Sequence, residues 1–176
     1  MSQTPGQTDR ALWQRSSLGA LLYHLAAGFA LFGGAVLLLM IGLSAVSVIG
    51  RWIFNTPLQG DFELVQLGCA VCVACFLPYC QVERGHVMVD FFTLRASPRS
   101  KSVLDALGAS LLGASAALLT WRTMAGTLAM RSAHETSMLL GVPIWYAYAP
   151  LVAAFALLAA TGFFTAWLDF RRRGRE

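Results

Sequence analysis

Charged side chains disappear from this chain over three long intervals. No Asp, Glu, Lys or Arg occurs between Arg15 and Arg51, between Glu63 and Glu83, or between Glu135 and Asp169. A fourth, shorter gap runs from Asp105 to Arg122. A helix needs roughly 20 mostly apolar residues to cross the ~30 Å hydrocarbon layer of a bilayer. The three long gaps exceed that length. The fourth reaches it with Asp105 and Arg122 at the two interfaces, the arginine by snorkelling. The pattern predicts an all-α integral membrane protein with four transmembrane helices, at about 21–50, 62–81, 102–123 and 143–168 of a membrane domain covering 21–170. A polar N-terminal tail, 1–20, and a basic tail, 171–176, flank it. The apolar run after Arg15 is far longer than the ~7–15-residue core of a cleaved signal peptide, so the first helix is expected to remain as an anchor.

Composition agrees. With 57% hydrophobic and 12% charged residues, a soluble core would lack the polar surface needed to cover it. The formal charge of +4 is mostly a topology signal. Ten basic residues fall before the first helix, in the second loop and in the tail, against Arg51, Arg122 and Arg131 on the other side. Positive loops stay cytoplasmic, which places both the N and C termini in the cytoplasm. No basic run is interleaved with stacking aromatics, so nucleic acid is the poorer explanation. The cluster Arg171, Arg172 and Arg173 suits anionic membrane lipid instead.

Small residues mark the expected helix contacts, because packing replaces the hydrophobic effect between helices in lipid. The first helix carries Gly34, Gly42 and Gly50, with Ser44 and Ser47 near its far end. The third carries two rows, Ala106, Ser110 and Ala114, and beside it Ala109, Gly113 and Ala117. The first loop is expected from Arg51, with Trp52 and Phe54 as interface anchors and a break at Asn55-Thr56-Pro57. Asp61 and Glu63 suit the positive end of the second helix. Residues 82–101 mix Val87, Phe91 and Leu94 with Arg84, His86 and Asp90, the mark of an amphipathic segment lying along the cytoplasmic interface between helices two and three. The first half of the third loop can continue helically beyond the membrane. Trp145, Tyr146 and Tyr148 form an aromatic belt at the outer surface, answered by Trp167 at the inner one.

The residues raise three further chemistries. Cys69, Cys72 and Cys75 have a spacing seen in iron–sulfur ligation, but on a helix they spread along the axis at 1.5 Å per residue and cannot gather round one cluster. Apolar filler suits them better, and with Cys80 all four sit in one span. A membrane-anchor subunit of a redox complex with haem needs histidines facing each other at one depth. His24, His86 and His134 lie at a helix start, in a cytoplasmic loop and in an external loop. An autonomous exporter needs an ionisable group deep in a span, whereas every charge here falls near an expected helix end.

Three elements carry a family resemblance. They are Arg51-Trp52-Ile53-Phe54-Asn55-Thr56-Pro57-Leu58 with Glu63 soon after, then Gly85-His86-Val87-Met88-Val89-Asp90, then Val142-Pro143-Ile144-Trp145-Tyr146. In this order, on four helices with cytoplasmic termini, the chain resembles the small membrane subunit of the tripartite ATP-independent periplasmic (TRAP) transporters. Two adjacent acids are common in that family at the second helix, where this chain has Asp61-Phe62-Glu63.

The resemblance implies a scaffold with no catalysis and no cofactor in the bacterial inner membrane. Its partners would be a large multi-span membrane subunit carrying substrate and sodium, and a periplasmic substrate-binding protein delivering an organic acid. Within that frame Arg51, Pro57, Glu63, Gly85, His86, Asp90, Pro143 and Trp145 are the structural or interface candidates. Gly34, Gly42, Ala106, Ser110, Gly113 and Ala114 are those for helix packing. His86 and Asp90 share a helical face. Arg51 either bridges to Glu63 across the first loop or snorkels to head groups, and Arg131 and Glu135 lie on the side of the binding protein.

Overall fold

The computed structural model describes residues 17–54, 60–83, 98–138 and 140–173. These form four helices: α1 (Ser17–Phe54), α2 (Asp61–Val82), α3 (Pro98–Ser132) and α4 (Trp145–Arg173). Among the described residues the only extended pairing is an isolated bridge between Thr136 and Pro143. Pro57 and the segment holding Gly85, His86 and Asp90 lie outside the described residues.

Three stretches, Ser17–Ile53, Asp61–Val82 and Trp145–Leu168, are long and apolar enough to cross a membrane. The expectation of four such helices therefore holds for α1, α2 and α4. In α3, 35 residues long, Arg99, Lys101, Asp105, Arg122 and Arg131 interrupt the apolar run. Helix α1 continues through Arg51, Trp52 and Phe54, which the sequence assigned to a loop. Nothing in Arg-Trp-Ile-Phe opposes a helix; the breakers are the Asn-Thr-Pro residues that follow. Helix α3 runs to Ser132, so the first half of the expected third loop continues helically, as its sequence allows, and Arg122 lies mid-helix.

Helix α2 packs on both α1 and α4, and α4 packs along α3. The helices thus stand in the order α1, α2, α4, α3, with only light contact between α1 and α4. The α1–α2 seam advances in steps of seven residues. Ala26 clusters with Val82; a side chain at Gly33 would meet Cys75 Cβ at 2.9 Å, and one at Gly68 would run into Met40. Ser47 then hydrogen-bonds Asp61. Two antiparallel helices held at a seven-residue repeat keep one stripe in contact along their whole length.

Between α2 and α4 the buried residues are Val71, Ala74, Cys75 and Ala154, with Phe29, Leu151 and Phe155 around them. The α3–α4 seam is closer still. A Cβ on Gly162 would lie 2.9 Å from Gly113 Cα and 3.3 Å from the Ala109 carbonyl, and one on Gly113 would lie 3.2 Å from the Phe163 nitrogen. Of the two small rows in α3, the one containing Ala109 and Gly113 faces α4 and continues to buried Ala116, not to exposed Ala117. A strict four-residue step drifts round a 3.6-residue helix, whereas four followed by three returns to the same face. Ala106 and Ser110 are half-buried and Ala114 is exposed. Gly34 and Gly42 have open space around them, and the close approach in α1 is made by Gly33 instead. Within this chain, then, Gly33 and not Gly34 or Gly42 makes the contact of α1.

Candidate functional site

Polar contacts gather at the end of the bundle where α2 and α4 begin. Gly60 precedes α2 with φ 83°, a left-handed backbone that glycine adopts without steric cost. Asp61, next in line, accepts from the Ser47 hydroxyl through one carboxylate oxygen and from the Phe62 N–H at 2.7 Å through the other. Ser47 is buried on the seam. The carboxylate therefore satisfies a free N–H of the first helical turn and fixes the end of α1 on it.

Glu63, two residues further into that turn, accepts from the Ser137 hydroxyl. Ser137 belongs to a short hairpin between α3 and α4. Its N–H donates to the Val142 carbonyl at 2.9 Å, and its carbonyl accepts from the Gly141 N–H at 3.1 Å. The Ile144 N–H closes the hairpin onto the Glu135 carbonyl at 3.2 Å. Gly141, at φ 63°, supplies the second left-handed position. Leu140 at the tip lies over Gly60, its Cγ 2.6 Å from where a Cβ would stand.

Helix α3 ends in a Schellman arrangement. The Glu135 N–H reaches back to the Met130 carbonyl at 3.1 Å and the His134 N–H to the Arg131 carbonyl at 3.3 Å. His134 takes the left-handed position, φ 52°, that usually falls to glycine. The Arg131 guanidinium carbon sits 5.2 Å from the Trp145 ring centre, a cation–π contact between the end of α3 and the start of α4. Trp145 in turn stacks on Tyr146 with ring centres 4.0 Å apart.

The opposite end is tied by aromatic and acidic groups. Tyr23 of α1 and Tyr79 of α2 have ring centres 6.4 Å apart, and the Glu83 charge acts on Tyr79. Ala26, Val82 and Leu157 pack beneath them, with Phe164 and Leu168.

The candidates from sequence are distributed unevenly over these contacts. Glu63 is engaged, with Ser137 as its hydrogen-bond donor and not Arg51. Arg51 is exposed in the last turn of α1, with its charge acting on Asp61. Pro143 forms the bridge that closes the hairpin, and Trp145 opens α4. Ser47, Asp61 and Ser137 carry the clamp although sequence reasoning gave them no such role. The available signal was a pair of acids in the first turn of a helix; their hydroxyl donors are 14 and 74 positions away. Cys75 packs against Gly33 and Ala154, as a filler would. His24 and His134 lie at opposite ends of the bundle. Among the described residues no group of three His, Cys, Asp or Glu is placed to hold a metal ion.

What the arrangement does is mechanical. Ser47–Asp61 ties α1 to α2, Ser137–Glu63 ties the hairpin to α2, and Arg131–Trp145 ties α3 to α4. A hydrogen bond to a charged group is worth about 1.5–3 kcal/mol, so these contacts set the relative heights of all four helices. No curated protein and no solved structure matched the chain. The family model described as the DctQ component of tripartite ATP-independent periplasmic transporters matches residues 40–172, a region that includes each of these clamps, and the chain belongs to that family.

Proposed function

We propose that the chain is the static scaffold of a secondary active importer in the bacterial inner membrane. All four helices cross the bilayer, both termini face the cytoplasm, and the hairpin at Ser137 faces out. A larger multi-span subunit moves an organic acid, which a periplasmic binding protein delivers, and the sodium gradient drives the movement. The observation that supports this most is the use of the polar residues. At the helix ends they clamp one helix to another, while α1 and α3 present apolar edges outward. A rigid block with unoccupied sides suits a part that a moving partner works against.

The test is uptake by cells carrying all three components, using a panel of labelled dicarboxylates, keto acids and sialic acid. Uptake of one member is expected to require this chain and to stop when the sodium gradient is collapsed. Undiminished uptake without the chain, or without the gradient, would contradict the proposal.

A further inference from the structure

Arg122 is not where a charged residue of a membrane helix is normally tolerated. Its height follows from contacts on either side of it. Nine residues before it, Gly113 touches α4 at Gly162 and Phe163. Nine residues after it, Arg131 stands over Trp145. The two helices are antiparallel, so Arg122 lies beside the midpoint of that stretch of α4, near Ala153 and Ala154. Ala154 is fully buried and clusters with Val71, Ala74 and Cys75, in the middle of α2. Through α4, then, Arg122 shares its level with the middle of α2, about half-way through.

At 1.5 Å per residue, nine residues put it about 13 Å from the level of Trp145, in a hydrocarbon layer ~30 Å thick. Snorkelling shortens that distance without removing it. The side chain is exposed on the side of α3 turned away from α4, and no acceptor among the described residues holds it. It shares this side with Leu107, Leu111 and Leu118, which are 62%, 71% and 58% exposed, at the four- and seven-residue intervals of a single helical stripe. Facing lipid, that stripe would leave a guanidinium in hydrocarbon, a placement that is expensive and in membrane proteins goes with an oppositely charged partner. The exposed side of α1 contrasts with it. No charged residue occurs from 16 to 50, and Leu31, Leu38 and Leu39 there suit acyl chains.

We infer that the outward stripe of α3 is the face on which a transmembrane helix of the larger subunit docks, and that Arg122 pairs there with a carboxylate carried by that helix inside the membrane. The inference rests on the scaffold reading and adds which edge of the block meets the partner and by what chemistry. The α1 edge faces lipid.

The test is recovery of the larger subunit with the tagged chain from native membranes in mild detergent. Arg122→Leu should insert at least as well as the parent, because it removes the charge. It is expected to lower partner recovery by about tenfold or more, since it strands a buried carboxylate. Arg122→Lys should retain most recovery, and Leu38→Ala on α1 should change nothing. In the Arg122→Leu background, replacing one intramembrane acid of the larger subunit by Leu should restore recovery. Full recovery with Arg122→Leu, as expected if the guanidinium instead reaches lipid phosphate, overturns the pairing and leaves the scaffold reading intact. So does failure of every acid replacement to restore it. Absence of the larger subunit even with the parent chain overturns the scaffold reading itself.

Discussion

Replacing Gly162 with valine is expected to unseat α3 from α4 and to cost about 3 kcal/mol, the upper part of the range for overpacking a tight contact. The atoms that a Cβ would meet are Gly113 Cα at 2.9 Å, Gly113 N at 3.1 Å and the Ala109 carbonyl at 3.3 Å. All belong to backbone, which has no rotamer to change, so the helix axes themselves must separate. Separation also loosens Ala116, Leu158 and Ala159 in the adjoining cluster. Helices in lipid associate through such contacts and gain little from apolar burial, so the loss has no ready compensation. Thermal unfolding in detergent should show the drop. Gly34→Ala and Gly42→Ala, with nothing within 4 Å, should leave the melting point unchanged or raise it slightly, as alanine for glycine in a helix does.

Valine at Gly60 should act at the other kind of contact, a loop against a helix start. The backbone there has φ 83°, where a non-glycine residue costs about 1–3 kcal/mol. Its Cβ would also stand 2.6 Å from Leu140 Cγ. Leu140 is a side chain at a hairpin tip and can turn aside, so the backbone term dominates. The predicted loss is about 2–4 kcal/mol, together with release of the hairpin from α2. Faster amide exchange at Ser137 and Gly141, whose N–H groups are held within the hairpin, would report that release. Unchanged exchange and an unchanged melt would show that neither the left-handed turn nor the Leu140 contact holds the hairpin in place.

The helices were legible from charge gaps because the bilayer imposes a single rule on every spanning segment. The continuation of α3 past Arg122 is legible too; the end of α1 is not, because Arg51 marks an expected interface and yet sits within continuing helix. Helix formation depends on the backbone and on breakers such as Pro57, not on charge, so the two boundaries need not coincide. The seams were only partly legible, for a related reason. Small residues in one helix indicate where a partner can approach, but the opposing residue decides whether it does. Gly33 is used because Cys75 faces it, and Met40 because Gly68 leaves room on the other helix. Gly34 and Gly42, which stood out in the sequence, have no such counterpart within the chain. The row through Ala109 and Gly113 was found among two candidates, and the choice needed the position of Gly162. At the clamps, Glu63 was identified and its partner was not, because Ser137 is 74 residues away in a loop whose closure depends on backbone hydrogen bonds that a linear pattern does not display.

Support of a larger membrane subunit is tested by a mild-detergent pull-down of the tagged chain from native membranes, with mass spectrometry of what accompanies it. A polytopic membrane protein with many more spans than this one should co-purify. A soluble redox subunit in its place, or no stable partner, would rule out that role.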